Sequence, residues 1–332
     1  MNITRLSSRI VLGALTALVL PAAALAQDMA KLENVECIAP ANAGGGWDFT
    51  CRQVGKTLYD LKLVANPVRV TNMAGGGGGV AFANVVNKRN DDNDLIIAAS
   101  SATATRLAQG AYPGNSKDQV RWIGTVGADY GAIAVAKDSD INSLADLMDK
   151  IKANPSSVAV AGGSSVGGWD HLKVLIAANA AGIDDVRSIK YVAFEGGGEA
   201  VTQLLGGHVQ AFSGDISEVS GFVDSGDLKV IAILAPERLP GKFEQFPTAK
   251  EQGIDAVGAN WRGFYAPGGM SDKSYAAWTD AISRVYASEE WKKTMADNGL
   301  MPLDIQGEEF AAFVADQIDK TIALSKEIGL VK

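Results

Sequence analysis

Cysteine and histidine are scarce in this chain. Its 332 residues include two of each: Cys37 and Cys51, His171 and His208. A zinc site built on Cys and His ligands has little to work with, and no motif calls for another metal or a cofactor. Basic residues are in deficit, 30 against 38 acidic, for a net charge of −8. That deficit argues against nucleic acid and anionic membrane surfaces as partners. It also means that an anionic ligand must be held by local donors. Aromatics are few while glycine is abundant at 37 residues, a balance that suits an α/β protein rich in tight strand-to-helix turns. Apolar runs of membrane-spanning length are missing.

The one extended apolar run lies at the start. Arg5 and Arg9 precede the apolar stretch 10–20, and Ala24-Leu25-Ala26 is a small-x-small cleavage site. Residues 1–26 read as a signal peptide cleaved after Ala26, with no lipobox cysteine. The mature chain is then exported and has 306 residues, 28 basic and 38 acidic, net −10, a length that suits two domains. An exported compartment permits a disulfide. However, Cys37 falls mid-strand and Cys51 one turn into the next helix. Packed strands and helices usually hold Cα atoms farther apart than a disulfide tolerates, so two buried thiols are expected.

Short apolar runs (35–39, 68–70, 95–99, 133–136, 158–161, 191–194, 230–234) alternate with helical patterns (49–61, 79–87, 144–153, 171–180, 199–205). The alternation predicts βαβ units and a largely parallel sheet. Helical patterns then dominate the C-terminal region (274–287, 290–298, 307–328). Crossings between two lobes are expected near residues 127–130 and 234–238. Lobe one is therefore 27–128 plus 236–332, lobe two is 129–235, and the ligand site lies in the cleft between them.

The tetrapeptide Gly-Gly-Trp-Asp occurs twice, at 45–48 and 167–170, each time between a predicted strand and a predicted helix. Helix N-termini carry unpaired N–H groups and partial positive charge, and so bind anions. The first site candidate is therefore Gly44, Gly45, Gly46, Trp47 and Asp48, with Asp48 capping or orienting the turn. The second is Ser164, Ser165, Gly168, Trp169 and His171, the last as a further donor. Gly77 and Gly78 belong to a five-glycine run that could cradle the ligand's other end. Ser100 and Ser101 end an apolar strand, where α/β sheets place ligand contacts. Glu195, Gly197 and Gly198 lie at another strand-to-helix turn.

Two motifs fail or compete. Gly55-Lys56-Thr57 lacks the first glycine of a phosphate-binding loop, since position 50 is Thr50. Gly163-x-Ser165-x-Gly167 fits a nucleophile elbow, with Asp184 or Asp185 and His208 as triad partners. A secreted serine esterase is the enzyme alternative.

Seven segments in order carry a family resemblance: Pro40…Gly44-Gly-Gly-Trp-Asp48, Asn72–Gly79, Ile141–Leu147 leading to Pro155, the glycine loop ending at His171, Phe194–Gly198 with Leu204–His208, Phe246–Gly253 and Gly263–Pro267. On these the chain resembles the exported receptors of tripartite tricarboxylate transporters, the TctC/Bug family. The resemblance implies an α/β, two-lobed periplasmic binding protein of type II, each lobe a mixed, mostly parallel sheet flanked by helices. It implies a receptor, not an enzyme. Its ligand would be a small di- or tricarboxylate, citrate being the family-level guess, held by backbone N–H groups and ordered water between the lobes. Its partners would be the membrane subunits of the transporter, the receptor itself being a monomer. The match carries the grip onto Gly44–Asp48 and Ser164–His171, and less sharply onto Glu195–Gly198 and Asp215. Ala43 and Ala74 stand where the family often has proline, which loosens the inference about loop geometry.

Overall fold

A computed structural model describes Leu32 and residues 34–327; the leader expected over 1–26 lies outside the described residues. Strand β1 (Glu36–Ala39) pairs in parallel with β2 (Arg69–Asn72) and β3 (Leu95–Ser100). Helices α1 (Gly46–Asp60) and α2 (Gly79–Lys88) make the connections. In α1, Cys51, Val54 and Leu58 recur at helical spacing and are fully buried, which seats the helix on the sheet. Strand β3 runs into α3 (Ser101–Ala108), whose cap is Ser100: its Oγ accepts from the Ala102 N–H at 3.2 Å.

The spine is β4 (Val120–Ala136), a strand of 17 residues. Through Tyr130 it pairs antiparallel with β9 (Ala259–Pro267), which also pairs with β3. From Gly131 onward it pairs with β7 (Ala211–Asp215) and β8 (Leu228–Leu234). Parallel strands β5 (Ala159–Gly162) and β6 (Lys190–Ala193) continue outward from β7. One nine-stranded mixed sheet results, in the order β2-β1-β3-β9-β4-β7-β5-β6 with β8 on β4. Every antiparallel pair involves β4 or β9. Neither β9 nor the first part of β4 was expected from the apolar runs.

Helices cover both faces of each half. On the first half, α1, α8 (Asp272–Ala287) and α9 (Glu289–Asn298) close one core around Trp278 and Trp291. On the other face, α2, α3 and α10 (Gly307–Glu327) close a second around Phe82, Tyr265 and Phe310. The second half places α4 (Leu144–Ala153) and α5 (Trp169–Ala180) on one face, α6 (Gly197–Leu205) and α7 (Ile216–Asp224) on the other. Among the described residues no helix is long and apolar enough to cross a membrane.

One expectation needs correction. Cys37 and Cys51 form a disulfide with Cα atoms 5.7 Å apart. The first turns of α1 lie close enough over β1 to bring the pair within bonding range. After residue 235, Leu239 and Phe243 fill one of the second half's cores, and Ala249, Ile254 and Ala256 fill the other. Pairing with β3 and the first part of β4 resumes in β9, from Ala259 onward.

Candidate functional site

The C-terminal ends of β1, β3, β5, β6 and β7 all open onto one cleft, and each leads into a helix. Helix N-termini from both halves therefore face a common cleft with room for water over a volume of about 50 Å³. The halves meet across it through glycine backbone. A Cβ on Gly45 would stand 3.3 Å from the Gly196 Cα, and one on Gly44 would stand 3.6 Å from the Gly198 Cα. Hydrogen bonds tie the two halves together. Asn42 N–H donates to the Glu195 carbonyl at 2.8 Å, Gly75 N–H to Glu195 Oε2 at 3.2 Å, and Gln109 Nε2 to the Gly167 carbonyl at 2.7 Å.

The two Gly-Gly-Trp-Asp copies are one residue out of structural register. Helix α1 begins at Gly46 but α5 begins at Trp169. Gly44 and Gly167, at φ +83° and +80°, are the equivalent left-handed residues. Asp48 is thus the counterpart of His171. Gly44 N–H donates to Asp48 Oδ2 at 3.0 Å, and Gly167 N–H donates to His171 Nδ1 at 2.9 Å. Both side chains hold their turns from behind, outside the cleft lining. His171 stacks on Tyr191 at 4.5 Å, and burial pushes its pKa down to about 4, so its neutral ring accepts at Nδ1. Burial pushes the Asp48 carboxyl up, but Arg52, the Gly44 N–H and Asn72 more than offset this and hold it below the usual carboxylate range.

Of the residues expected in the site, Gly45, Gly46, Trp47, Gly77 and Ser100 line the cleft from the first half. Ser164, Ser165, Gly168, Glu195, Gly197 and Asp215 line it from the second. Trp47 Nε1 donates to Ser100 Oγ at 3.1 Å, and Ser164 Oγ accepts from the Asp170 N–H at 3.0 Å. The rest support the lining from outside it. Gly44 and Gly198 press backbone against backbone. Gly78 leaves room for the Tyr112 hydroxyl, which donates to the Gly77 carbonyl at 2.7 Å. Ser101 ties α3 to β9 through Asn260 and Trp261. Trp169, the out-of-register tryptophan, is absent from the lining, and Asp170 stands there instead.

Sequence reasoning missed the charged floor. Arg262 lies beneath Gly46, and its Nη2 donates to Asp129 Oδ2 and Asp215 Oδ2, both at 2.8 Å. Lys173, fully buried, reaches Asp170 Oδ1 at 2.9 Å, Asp215 Oδ1 at 2.7 Å and the Gly214 carbonyl at 2.6 Å. Glu218 closes the floor: its carboxylate accepts from Gly46 N–H and Asp215 N–H, both at 2.9 Å. Burial, then the charges of Asp215 and Asp170, push the Glu218 pKa up to about 8. Two short signals mark this floor in the sequence: Asp215-x-x-Glu218, a capping box, and Asp170-x-x-Lys173, a pair one helical turn apart.

The triad geometry of a serine esterase is not assembled. Ser165 follows the C-terminal end of β5, whereas Asp184 and Asp185 precede β6 and His208 precedes β7. Because β5, β6 and β7 are parallel, these partners lie at the opposite end of the sheet from Ser165.

Residues 51–330 match the profile of the tripartite tricarboxylate transporter family receptor. The chain belongs to this family. Across 335 aligned residues it is 28% identical to protein BugT of Bordetella pertussis, covering 99% of each chain. Its fold is that of the periplasmic binding protein BugD, at a TM-score of 0.80 with 22% identity over 90% of this chain and 99% of that one. It also superposes on MatC of Rhodopseudomonas palustris, solved with bound malate, at a TM-score of 0.77 with 21% identity over 88% and 98%. The α/β binding-protein architecture expected from the sequence is the one found.

Proposed function

We propose that this family member is a periplasmic solute receptor. It holds a small carboxylate in the cleft and hands it, as a monomer, to the membrane subunits of a tripartite tricarboxylate transporter. The observation carrying the reading is the convergence of helix N-termini and bare glycine loops from both halves on one cleft. The pairing change at Tyr130/Gly131 and the return after Gly258 support lobes of 32–130 with 259–327, and 131–258. The leader cleaved after Ala26 belongs to the same proposal.

The resemblance suggests citrate, but the floor's charge balance favours an acid with fewer charges. Arg262 and Lys173 are already matched by Asp129, Asp170 and Asp215. A dicarboxylate such as the malate bound by MatC therefore fits better than a trianion. Thermal or chemical denaturation across a carboxylate panel tests the reading. Ligand at 100 times its Kd should add about 2.7 kcal/mol of stability, and a panel without any shift removes carboxylate capture as the function.

A further inference from the structure

Among the described residues, one cation in the cleft has no carboxylate partner. Arg262 and Lys173 are held by aspartates. Arg106, on the last turn of α3, lines the same cleft with Ala102 one turn before it. Its Nη1 donates to Gln109 Oε1 at 3.0 Å and stands 3.5 Å from the Val166 carbonyl. Its Nε is buried and, among the described residues, has no hydrogen-bond partner. A buried guanidinium N–H without an acceptor is costly, so this atom is poised for an acceptor from outside the chain.

A second donor reaches the same place from the other half. A Cβ on Gly77 would stand 3.0 Å from Ser165 Oγ and 3.3 Å from Arg106 Nε. Both atoms therefore converge on Gly77 from opposite halves, and Gly77 takes φ +62°, a conformation suited to glycine. Resting on the receptor reading above, we propose that Arg106 Nε and Ser165 Oγ form the subsite for one carboxylate of the ligand. Arg106 supplies the charge and Ser165 a hydroxyl from the opposite half, so an acid group seated there bridges the two halves. The elbow-like Gly163-x-Ser165-x-Gly167 turn then presents a binding hydroxyl. Arg106 thereby discriminates acids from their uncharged amides.

The test pairs residue charge with ligand charge. Calorimetric Kd values for malate, succinate and adipate would be measured against those for the corresponding diamides, in wild type, Arg106→Gln and Asn42→Ala. Arg106→Gln should weaken acid binding roughly ten- to hundredfold and leave the diamides unchanged, collapsing the acid-to-amide ratio. Asn42→Ala breaks a contact between the halves, from Asn42 Nδ2 to Glu199 Oε1 at 2.7 Å, without touching Arg106 or Ser165, and should leave that ratio intact. Arg106→Lys, which keeps the charge but loses the Nε–H, should restore part of the ratio. Equal losses for acid and diamide in Arg106→Gln would make Arg106 a contact between the halves and overturn the subsite. Should none of the acids bind wild type, the receptor reading falls first and the subsite with it.

Discussion

Glu218 and Gly46 come from opposite halves of the molecule and meet at 2.9 Å, the Gly46 N–H donating to Glu218 Oε1. A side-chain carboxyl of the protein thus occupies the first N–H of α1, the type of position a ligand anion would seek. The same carboxyl accepts from Asp215 N–H as the third residue of a capping box. One acid therefore starts α7 and closes the cleft floor.

That position has a titration consequence. Burial and the neighbouring aspartates raise the Glu218 pKa to about 8 in the folded state, against an ordinary value of 4.5. The folded protein then binds a proton more tightly than the unfolded chain. The stabilising contribution is complete below pH 4.5, falls as pH rises toward 8, and changes no further above that. Carbon-13 NMR of labelled glutamate carboxyls, with Glu218 assigned by its loss in Glu218→Ala, should give a midpoint near 8. A midpoint below 5 contradicts the burial argument.

Gly46 should tolerate no side chain. Its Cβ would stand 2.1 Å from Arg262 Nη2 and 2.3 Å from Nη1, driving the guanidinium off Asp129 and Asp215. Breaking such a buried ion pair costs about 3–5 kcal/mol. Gly221, inside α7 with no atom within 4 Å of its Cβ position, is the control. Gly221→Ala should stabilise by about 0.5–1 kcal/mol. Urea denaturation of the two variants should move in opposite directions, and equal stability for Gly46→Ala and wild type would refute the packing argument.

Lys173→Met tests the other floor cation. It leaves Asp170, Asp215 and the Gly214 carbonyl without their ammonium donor, so at pH 7 the loss should be about 3–5 kcal/mol. Burial raises the Asp170 pKa. That residue therefore protonates readily once Lys173 is gone, and the deficit should shrink as pH falls from 7 to 5. Denaturation at both pH values measures it; a deficit that grows on acidification has the wrong sign.

Reduction of Cys37–Cys51, which are 14 positions apart, should cost about 3 kcal/mol by loop-closure entropy. Paired denaturation curves with and without reductant give the value directly. A difference under about 1 kcal/mol would mean that the unfolded chain gains little freedom on reduction.

How much of this was legible depended on which way side chains pointed. The apolar runs at 35–39, 95–99 and 230–234 found β1, β3 and β8, and the pattern at 144–153 gave α4 with its true ends. Strand β9 was missed because Asn260 and Arg262 interrupt its apolar content. Both are buried among carboxylates between the halves, and no periodicity reveals a polar residue whose partner is distant in sequence. Helices α3 and α7 were missed because small polar residues and Gly221 dilute their apolar faces. The repeated tetrapeptide marked two turns that both line the cleft, but it suggested the wrong alignment of them. Identical letters favour Trp47 with Trp169, but backbone conformation pairs Trp47 with Asp170. The lining glycines were readable because a close approach demands glycine. The floor was not, because Lys173, Arg262 and Glu218 acquire their meaning only when three strands and two helices bring them together.

β4 passes from one half to the other without a break, exchanging β9 for β7 and β8 between Tyr130 and Gly131. Most two-part molecules are joined by linkers that move freely of the hydrogen bonds around them. Here the joint is itself a rung-bearing strand, so a change in angle between the halves must be absorbed by bending a ladder that is bonded along its length. Any change in that angle should therefore alter the exchange with solvent of the amides of residues 127–131.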